Sequence, residues 1–419
     1  MASMTDRSPP VASASCQAAR FAMVRGLTEA LVAPLSDADA TIQSMPDASP
    51  AKWHLAHTTW FFETFVLRDH LPGYRLFDDA WPFLFNSYYE AEGPRHARPQ
   101  RGMLSRPALD EVLAYRAHVD AHVELLLHRA DLAELIALGL NHEQQHQELL
   151  LTDLKHALSL NPLAPAYAYP RAPESGTASA VPMDWHRHEG GLHRIGHGGG
   201  EAGFAFDNEG PAHEVLLEPF ALARRLVTNR EWAEFVADGG YRNPALWLSD
   251  GWAWINAEGL TAPLYWREDM AFTLSGLQPI LPDAPVAHVS FYEADAFATW
   301  AGHRLPTEFE WEVAAAGHDP SVGVQLDAGA GAFGIHPQGS PGLFGDCWQW
   351  TRSAYLPYPR FRPAAGAVGE YNGKFMSGQC VLKGASCATP RGHSRATYRN
   401  FFPPDKRWQF TGVRLAKDL

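Results

Sequence analysis

The sequence predicts an α+β protein of two domains, a four-helix bundle followed by a domain of short strands and long loops. Residues 18–160 carry apolar residues at helical spacing, with short connections between the periodic segments. Residues 161–182 are rich in proline, alanine and serine, which is typical of an extended interdomain linker. The chain beyond it holds 11 of the 14 tryptophans and few long periodic segments.

The individual elements follow from spacing and helix-start signals. We expect the four long helices near residues 20–32, 52–70, 107–129 and 131–160. Ser49 and Pro50 form an N-cap and first-turn pair for the second helix, and Ser105 and Pro107 open the third. Short helices are expected in the second domain at residues 229–238 and 292–301.

The length of 419 residues is too great for one ordinary core, which agrees with two domains. The predicted parts are a disordered leader, a helical domain, a linker and a second domain, at residues 1–16, 17–160, 161–182 and 183–419.

Composition excludes several classes of function. The net charge of −13 argues against a nucleic-acid or acidic-membrane partner and leaves small polar substrates open. No apolar run is long enough to span a membrane, and the first residues lack the apolar core of a signal peptide. Four cysteines without a CxxC pair favour a reducing cytoplasm.

The segment Asn141-His142-Glu143-Gln144-Gln145-His146-Gln147-Glu148 carries the strongest functional signal. Its two histidines are four residues apart on a predicted helix, so both imidazoles lie on one face and can reach one metal ion. They occupy positions where the apolar stripe would otherwise continue. Because a buried imidazole needs a hydrogen-bond partner or a metal, two in succession are difficult to explain as packing.

A third ligand is expected from the segment WHLAHTTWFFE at residues 53–63. His57 shares a helix face with Trp53 and Trp60, whereas His54 lies on the neighbouring face of the same helix. We therefore favour His57 as the third ligand. His118 and His122 are also four apart but have charged neighbours, which favours a solvated face. Three neutral imidazoles suit Fe(II) with open positions, although Zn(II) accepts the same ligands.

These two histidine segments resemble the DinB-like helical domain of the ergothioneine-biosynthesis sulfoxide synthases, the EgtB family. The second domain resembles their formylglycine-generating-enzyme (sulfatase-modifying) domain, which has a C-type-lectin-like fold. The segments that carry this second resemblance are VTNREW at 227–232, GHRLPTEFEWE at 302–312, GDCWQWT at 345–351 and GVRLA at 412–416.

The resemblance implies an Fe(II)- and O2-dependent enzyme that joins a thiol to the imidazole of trimethylated histidine (hercynine) and oxidises the sulfur to a sulfoxide. It implies His57, His142 and His146 as iron ligands and Gln145 as a substrate contact. The product would pass to a PLP-dependent lyase, and no nucleic acid or membrane is implied.

The loop between the second and third helices resembles the branch of the family that uses free cysteine. Tyr88 and Tyr89 form its tyrosine pair, and one of them would assist oxygen reduction. Arg98, Arg101 and Arg106 are candidates to bind the cysteine carboxylate, since guanidinium groups bind carboxylates in bidentate fashion.

Residues 394–402 resemble the family's substrate loop. Asn400 would face the hercynine carboxylate, and Phe401 and Phe402 would lie near the trimethylammonium group, which favours aromatic faces. The branch that uses γ-glutamylcysteine has Trp-Asp after this asparagine, where this chain has Phe401-Phe402. Cys380 and Cys387 do not match the spacing of the catalytic cysteine pair in formylglycine-generating enzymes, so we expect no such oxidase activity.

Three alternatives remain open on the sequence alone. The same chemistry could use γ-glutamylcysteine or a selenosugar as donor. A DinB-type zinc- or nickel-dependent thiol transferase would need no oxygen. A non-enzymatic ligand-binding protein would use the histidines for structure only.

Overall fold

The helical domain is built from four long helices, as expected from the periodicity. The computed structural model describes residues 14–167, 181–198, 203–327, 335–363, 369 and 372–419. The long helices are α1 (Ala14–Val32), α3 (Ala51–Phe61), α5 (Leu109–Val123) and α6 (Ala133–Ser159). Two short helices, α2 (Asp37–Thr41) and α4 (Trp81–Phe85), lie in the connections.

Several predicted boundaries need correction. Helix α1 begins at Ala14, inside the predicted leader, and its apolar face packs into the bundle. Residues 1–13 of that leader lie outside the described residues. The second long helix changes from α to π geometry over Phe62–Arg68. The third long helix ends at Val123, six residues before its predicted end, and a 3-10 turn follows at Glu124–Leu126.

A buried ionic cluster joins α1, α5 and α6. Glu143 of α6 is fully buried and accepts hydrogen bonds from Arg25 (2.7 Å) and Arg116. Burial alone would raise the pKa of Glu143, but the two guanidinium groups lower it to about 2. The carboxylate is therefore charged, and it fixes the helix turn that also carries His142.

The described part of the second domain contains four small sheets. Their strands are β1 (Trp185–His188), β2 (Gly191–Ile195), β3 (His213–Leu217), β4 (Phe220–Ala223), β5 (Trp266–Arg267), β6 (Met270–Thr273), β7 (Gly276–Pro279), β8 (Trp348–Ala354), β9 (Cys380–Gly384), β10 (Asn400–Phe402), β11 (Thr411–Gly412) and β12 (Ala416–Asp418). The sheet orders in the described residues are β1-β4-β12, β10-β9-β8-β11, β2-β3 and β5-β6-β7. This pattern of short strands and long loops is the predicted one.

Four helices accompany these sheets. Two were expected, α7 (Asn229–Ala237) and α9 (Phe291–Trp300), and two were not, α8 (Ser249–Glu258) and α10 (Glu308–Ala315). Thr307 caps α10 by accepting the Glu310 N–H, and the Glu310 carboxylate accepts the Thr307 N–H. That Thr-x-x-Glu capping box was readable in the sequence.

Helix α6 also joins the two domains. The buried Glu148 carboxylate accepts hydrogen bonds from Trp348 Nε1 (2.9 Å) and Thr389 Oγ1 (2.8 Å) of the second domain. Further along, Lys155 Nζ lies 2.6 Å from His288 Nε2. Residues 168–180 of the expected linker lie outside the described residues. Among the helices that the structure describes, none is long and apolar enough to cross a membrane.

Candidate metal centre

The three predicted ligand histidines lie together between α3 and α6. The ring nitrogens offered by His57, His142 and His146 are all within 4.8 Å of one another. His57 and His142 are fully buried. Three imidazoles that converge in this way could bind one metal ion, and three protein nitrogens leave coordination positions open for chemistry.

His57 is held in one orientation by its neighbours on α3 and α4. Its ring stacks between Trp53 (centroids 4.6 Å apart) and Trp60 (5.5 Å). Its Nδ1 lies 2.6 Å from the Phe85 carbonyl oxygen, and because a carbonyl only accepts, Nδ1 carries the proton. His57 Nε2 is then a buried lone pair without a hydrogen-bond partner, as a metal ligand requires.

Burial keeps all three histidines neutral. It lowers the pKa of His142 to about 3, with the nearby Glu143 carboxylate acting in the opposite direction. It also lowers the pKa of His57 and His146 well below the usual value, and the crowded imidazoles add to the effect. Neutral imidazole is the form that binds metals.

A cavity of about 900 Å³ lies between the two domains, and His146 forms part of its wall. The helical domain contributes α3, the loop at residues 87–101 and the middle of α6. The second domain contributes the segment at 398–403 and the side chains of Trp348, Phe375 and Trp408. The open side of the histidine cluster therefore faces a space large enough for two small substrates.

Comparison with known proteins decides the family. Residues 20–150 match the DinB superfamily, and residues 180–330 and 323–419 match the Sulfatase-modifying factor enzyme 1-like domain. The chain is 34% identical to the hercynine oxygenase of Mycolicibacterium smegmatis, over 95% of this chain and 98% of that protein. It is 32% identical to the hercynine oxygenase of Mycobacterium tuberculosis, over 96% and 98% respectively.

The chain belongs to the hercynine oxygenase family. The formylglycine-generating enzyme of Thermomonospora curvata, 33% identical, covers only 55% of this chain, with 91% of its own length matched. That likeness is shorter than the match to the hercynine oxygenases. These matches confirm the family resemblance inferred from the two histidine segments and the second-domain motifs. They also support the prediction that the protein is an oxidoreductase built from a DinB-like and a sulfatase-modifying-like domain.

The two loop tyrosines of this oxygenase have different surroundings. Tyr88 lines the cavity, while Tyr89 is fully buried against Trp60 and Phe65. Their rings stack with centroids 5.0 Å apart. Burial raises the pKa of Tyr88, an effect that Tyr89 and nearby arginines partly offset, so its hydroxyl is protonated at neutral pH.

Two of the three predicted arginines reach the cavity. Arg98 and Arg101 line it, and Arg101 is 3% exposed, with its guanidinium 3.3 Å from the centre of the Trp53 ring. Arg101 also donates to Ser49 Oγ (2.9 Å) and Ser87 Oγ (3.1 Å). Arg106 is exposed and donates to the neighbouring Ser105 carbonyl, so the structure does not bring it to the cavity.

The remaining predicted substrate contacts lie on the cavity wall. They are Gln145, Asn400, Phe401 and Phe402. Gln145 Nε2 donates to the Tyr398 hydroxyl at 2.5 Å, which links α6 to the second domain. Asn400 Oδ1 accepts the Phe401 N–H at 2.9 Å, so its amide NH2 is available as a donor.

The sequence did not reveal the surroundings of His146. His54, set aside as a ligand, lies with Nδ1 2.8 Å from His146 Nδ1 and Nε2 3.2 Å from Asp153 Oδ2. Phe375, on the second domain, packs edge-on against Tyr88 with centroids 5.3 Å apart. Helical spacing could have placed His54 and Asp153 on facing helices. Their contact depends on how α3 packs against α6, which spacing does not reveal.

Cys380 and Cys387 of the second domain lie in environments that raise the pKa of their thiols. Cys380 and Cys387 are free thiols, and Cys387 is buried. Burial raises the pKa of Cys380 to about 12 and that of Cys387 well above the usual value. These environments disfavour the thiolate, which is the reactive form of cysteine.

Proposed function

We propose that this protein is a nonheme Fe(II)- and O2-dependent sulfoxide synthase that joins L-cysteine to hercynine and forms hercynylcysteine sulfoxide. The observation that carries the proposal is the position of the three-histidine cluster, whose His146 opens onto an interdomain cavity with candidate groups for both substrates. The reaction consumes one thiol, one imidazole C–H and one O2, and yields one sulfoxide and one water. A PLP-dependent lyase would then act on the product.

The histidine cluster fits the proposed iron ion. His57, His142 and His146 would hold it, and the bound Fe(II) would supply thiolate coordination and the reduction of O2. The neutral state of the three imidazoles and the buried lone pair on His57 Nε2 support this role. The four free thiols fit the reducing cytoplasm expected from the sequence.

Cysteine would be bound through its carboxylate. Arg98 and Arg101 offer guanidinium donors on the helical side of the cavity, which support a charge-assisted pair with a carboxylate. Arg101 is already fixed by two serine hydroxyls and the Trp53 ring, so little side-chain entropy is lost on binding.

Hercynine would be bound mainly by the opposite wall. The free amide NH2 of Asn400 would donate to its carboxylate, and the Gln145 amide, held by Tyr398, would orient its imidazole. Phe401 stacks on Tyr355 with centroids 4.0 Å apart and offers a fixed aromatic surface to the trimethylammonium group. Orientation of both substrates in this way would place the sulfur beside the imidazole carbon.

Tyr88 would provide the proton needed as oxygen is reduced. Its hydroxyl is protonated at neutral pH and belongs to a side chain on the cavity wall. Loss of this donor would favour the competing reaction, in which both oxygen atoms add to the thiol and give cysteine sulfinate.

The test is anaerobic reconstitution of the purified protein with Fe(II), followed by addition of hercynine, a thiol and O2, with product masses recorded. We expect a sulfoxide adduct only when all components are present. A His142→Ala variant that remains folded should give none. No adduct with any thiol would refute the proposal, and an adduct formed under nitrogen would favour a metal-dependent thiol transferase.

The donor is tested by competition. Cysteine, γ-glutamylcysteine and a selenosugar are supplied together at equal concentration, and the products are separated by mass. We expect the cysteine adduct to dominate, because the tyrosine pair resembles the cysteine-using branch and Phe401-Phe402 replaces the Trp-Asp of the branch that uses γ-glutamylcysteine. Dominance of either other adduct would replace cysteine as the donor while leaving the oxygenase chemistry intact.

A further inference from the structure

We infer that His54 is a positioning residue for the metal centre: together with Asp153, it fixes the tautomer in which His146 presents Nε2 to the metal. This inference rests on the proposed metal role of the three histidines. His54 and Asp153 are 3% and 4% exposed, so both side chains are almost fully shielded from bulk solvent. His54 bridges His146 and Asp153 through its two ring nitrogens, at 2.8 Å and 3.2 Å.

Asp153 sets the direction of this chain of hydrogen bonds. Its Oδ2 accepts the Ser49 N–H at 2.8 Å, and its Oδ1 accepts the Trp408 indole N–H at 2.9 Å. An aspartate that already accepts from two fixed donors is an acceptor toward His54 as well. His54 Nε2 must therefore carry a proton.

The direction then passes through both imidazoles. When His54 is neutral, a proton on Nε2 leaves a lone pair on Nδ1, and the contact with His146 then requires a proton on His146 Nδ1. That leaves the lone pair of His146 on Nε2. The reverse direction would place a proton on His146 Nε2, where it would block a metal bond.

The same chain reaches across the domain boundary. Trp408 belongs to the second domain, while Asp153 and His146 lie on α6. Docking of the second domain therefore completes the group of donors that holds Asp153. Outer partners of this kind orient metal-bound histidines, and their loss commonly weakens metal affinity 10- to 100-fold.

The first test measures metal affinity in the full-length, metal-free protein. Zn2+ is titrated in competition with a chromophoric chelator, because Zn2+ binds three imidazoles without redox chemistry. We expect His54→Phe and Asp153→Asn each to weaken binding about 10- to 100-fold. The matched control is His156→Phe on the same helix, which removes the hydrogen bond between His156 Nδ1 and Ser44 Oγ (2.7 Å) and should leave affinity unchanged.

The second test needs no substitution and covers the case in which a variant does not fold. Long-range 15N–1H NMR of the wild-type, metal-free protein, labelled at histidine nitrogens, reports the tautomer of each ring. We expect a proton on Nδ1 of His146 and on Nε2 of His54. A proton on Nε2 of His146, or unchanged Zn2+ affinity in both folded variants, would overturn the inference alone. Absence of Zn2+ binding by the wild type would overturn the proposed metal centre and this inference with it.

Discussion

Adjacent side chains on one turn of α6 have entirely different partners. His142 and His146 face the metal centre, Glu143 pairs with buried arginines of α1 and α5, and Gln145 faces the interdomain cavity. Each direction follows from the 100° step of the helix. Because these side chains have separate partners, single-residue substitutions are informative tests of each site.

The tyrosine pair offers such a test. Replacing Tyr88 by Phe removes the protonated hydroxyl at the cavity wall, so we expect the ratio of sulfoxide to cysteine sulfinate to fall several-fold. Tyr89→Phe, the matched control, removes a hydroxyl from a fully buried side chain and should change the ratio less. The ratio is measured by mass spectrometry under saturating O2. Equal ratios in wild type and Tyr88→Phe would show that Tyr88 does not donate the proton.

The arginines offer a second test. Arg101→Met removes a buried guanidinium from the cavity, and we expect KM for cysteine to rise roughly 10- to 100-fold, because hydrogen bonds to charged groups contribute about 1.5–3 kcal/mol. Arg106→Met removes an exposed guanidinium outside the cavity and should leave KM unchanged. Steady-state kinetics with hercynine saturating provide the measurement. A rise in KM for cysteine in Arg106→Met but not in Arg101→Met would show that Arg106, and not Arg101, binds the cysteine carboxylate.

At the scale of residues, spacing predicted which histidines would meet but not what holds them. The i, i+4 pair and the shared face of His57 with Trp53 and Trp60 gave the three-histidine cluster. The contact between His54 and His146 depends on the exact rotation of α3 against α6, which a sequence pattern does not contain. Metal binding by the cluster stays a prediction until it is measured.

At the scale of elements, a glycine sets the distance between α3 and α6. A Cβ on Gly139 would lie 2.8 Å from the Phe62 ring and 2.9 Å from the Phe61 ring, one turn before His142. The two helices can approach closely here only because the side chain is absent. The separation of His57 from His142 depends on the same approach.

We therefore expect Gly139→Ala to force the helices apart. The cost should be about 1–3 kcal/mol in stability, with a loss of Zn2+ affinity, since overpacking displaces the ligands. Gly26→Ala on α1 is the control, because nothing lies within 4 Å of the added methyl group, and it should stabilise by up to about 1 kcal/mol. Thermal melts and chelator competition measure both effects. A Gly139→Ala protein as stable as wild type would mean that the helices adjust without cost.

Capping and periodicity predicted the long helices well and their ends less well. The change to π geometry at Phe62–Arg68 has no clear local signature in the sequence, because no glycine or proline interrupts these residues. The short α8 lacks a side-chain cap and was not recognised. Its end carries a local signal, Gly259 in the left-handed conformation, while its start depends on packing: a Cβ added to Gly251 would lie 2.8 Å from the Tyr292 side chain.

At the scale of the whole molecule, α6 organises the docking of both domains. Glu148, Asp153 and Lys155 each meet a second-domain side chain, in Trp348, Trp408 and His288 respectively. These partners lie more than 100 residues away in the sequence, so no local pattern could pair them. The two-domain organisation was predictable from composition, whereas the shared cavity required the assembled structure.

Lys155 gives a prediction about the stability of this assembly. It is buried, its ammonium group lies against His288, and the rings of Tyr265 and Phe410 are each 4.7 Å away. Burial lowers the pKa of Lys155 to about 7, an effect that Cys387 and Cys347 partly offset. In the unfolded chain the pKa is near 10.4. Between about pH 7 and 10 the unfolded state therefore binds the additional proton, and folding becomes less favourable as the pH falls through this window.

Replacing Lys155 by Met removes this proton-linked cost. We expect the Tm of Lys155→Met to exceed that of wild type by more at pH 7 than at pH 9.5, because wild type regains stability as its unfolded state loses the proton. Lys417→Met, at a half-buried position on β12, controls for the loss of one positive charge. Calorimetric melts of the full-length protein at several pH values provide the comparison. A difference that stays constant across this range would mean that Lys155 remains charged in the folded protein, with the aromatic rings compensating its burial.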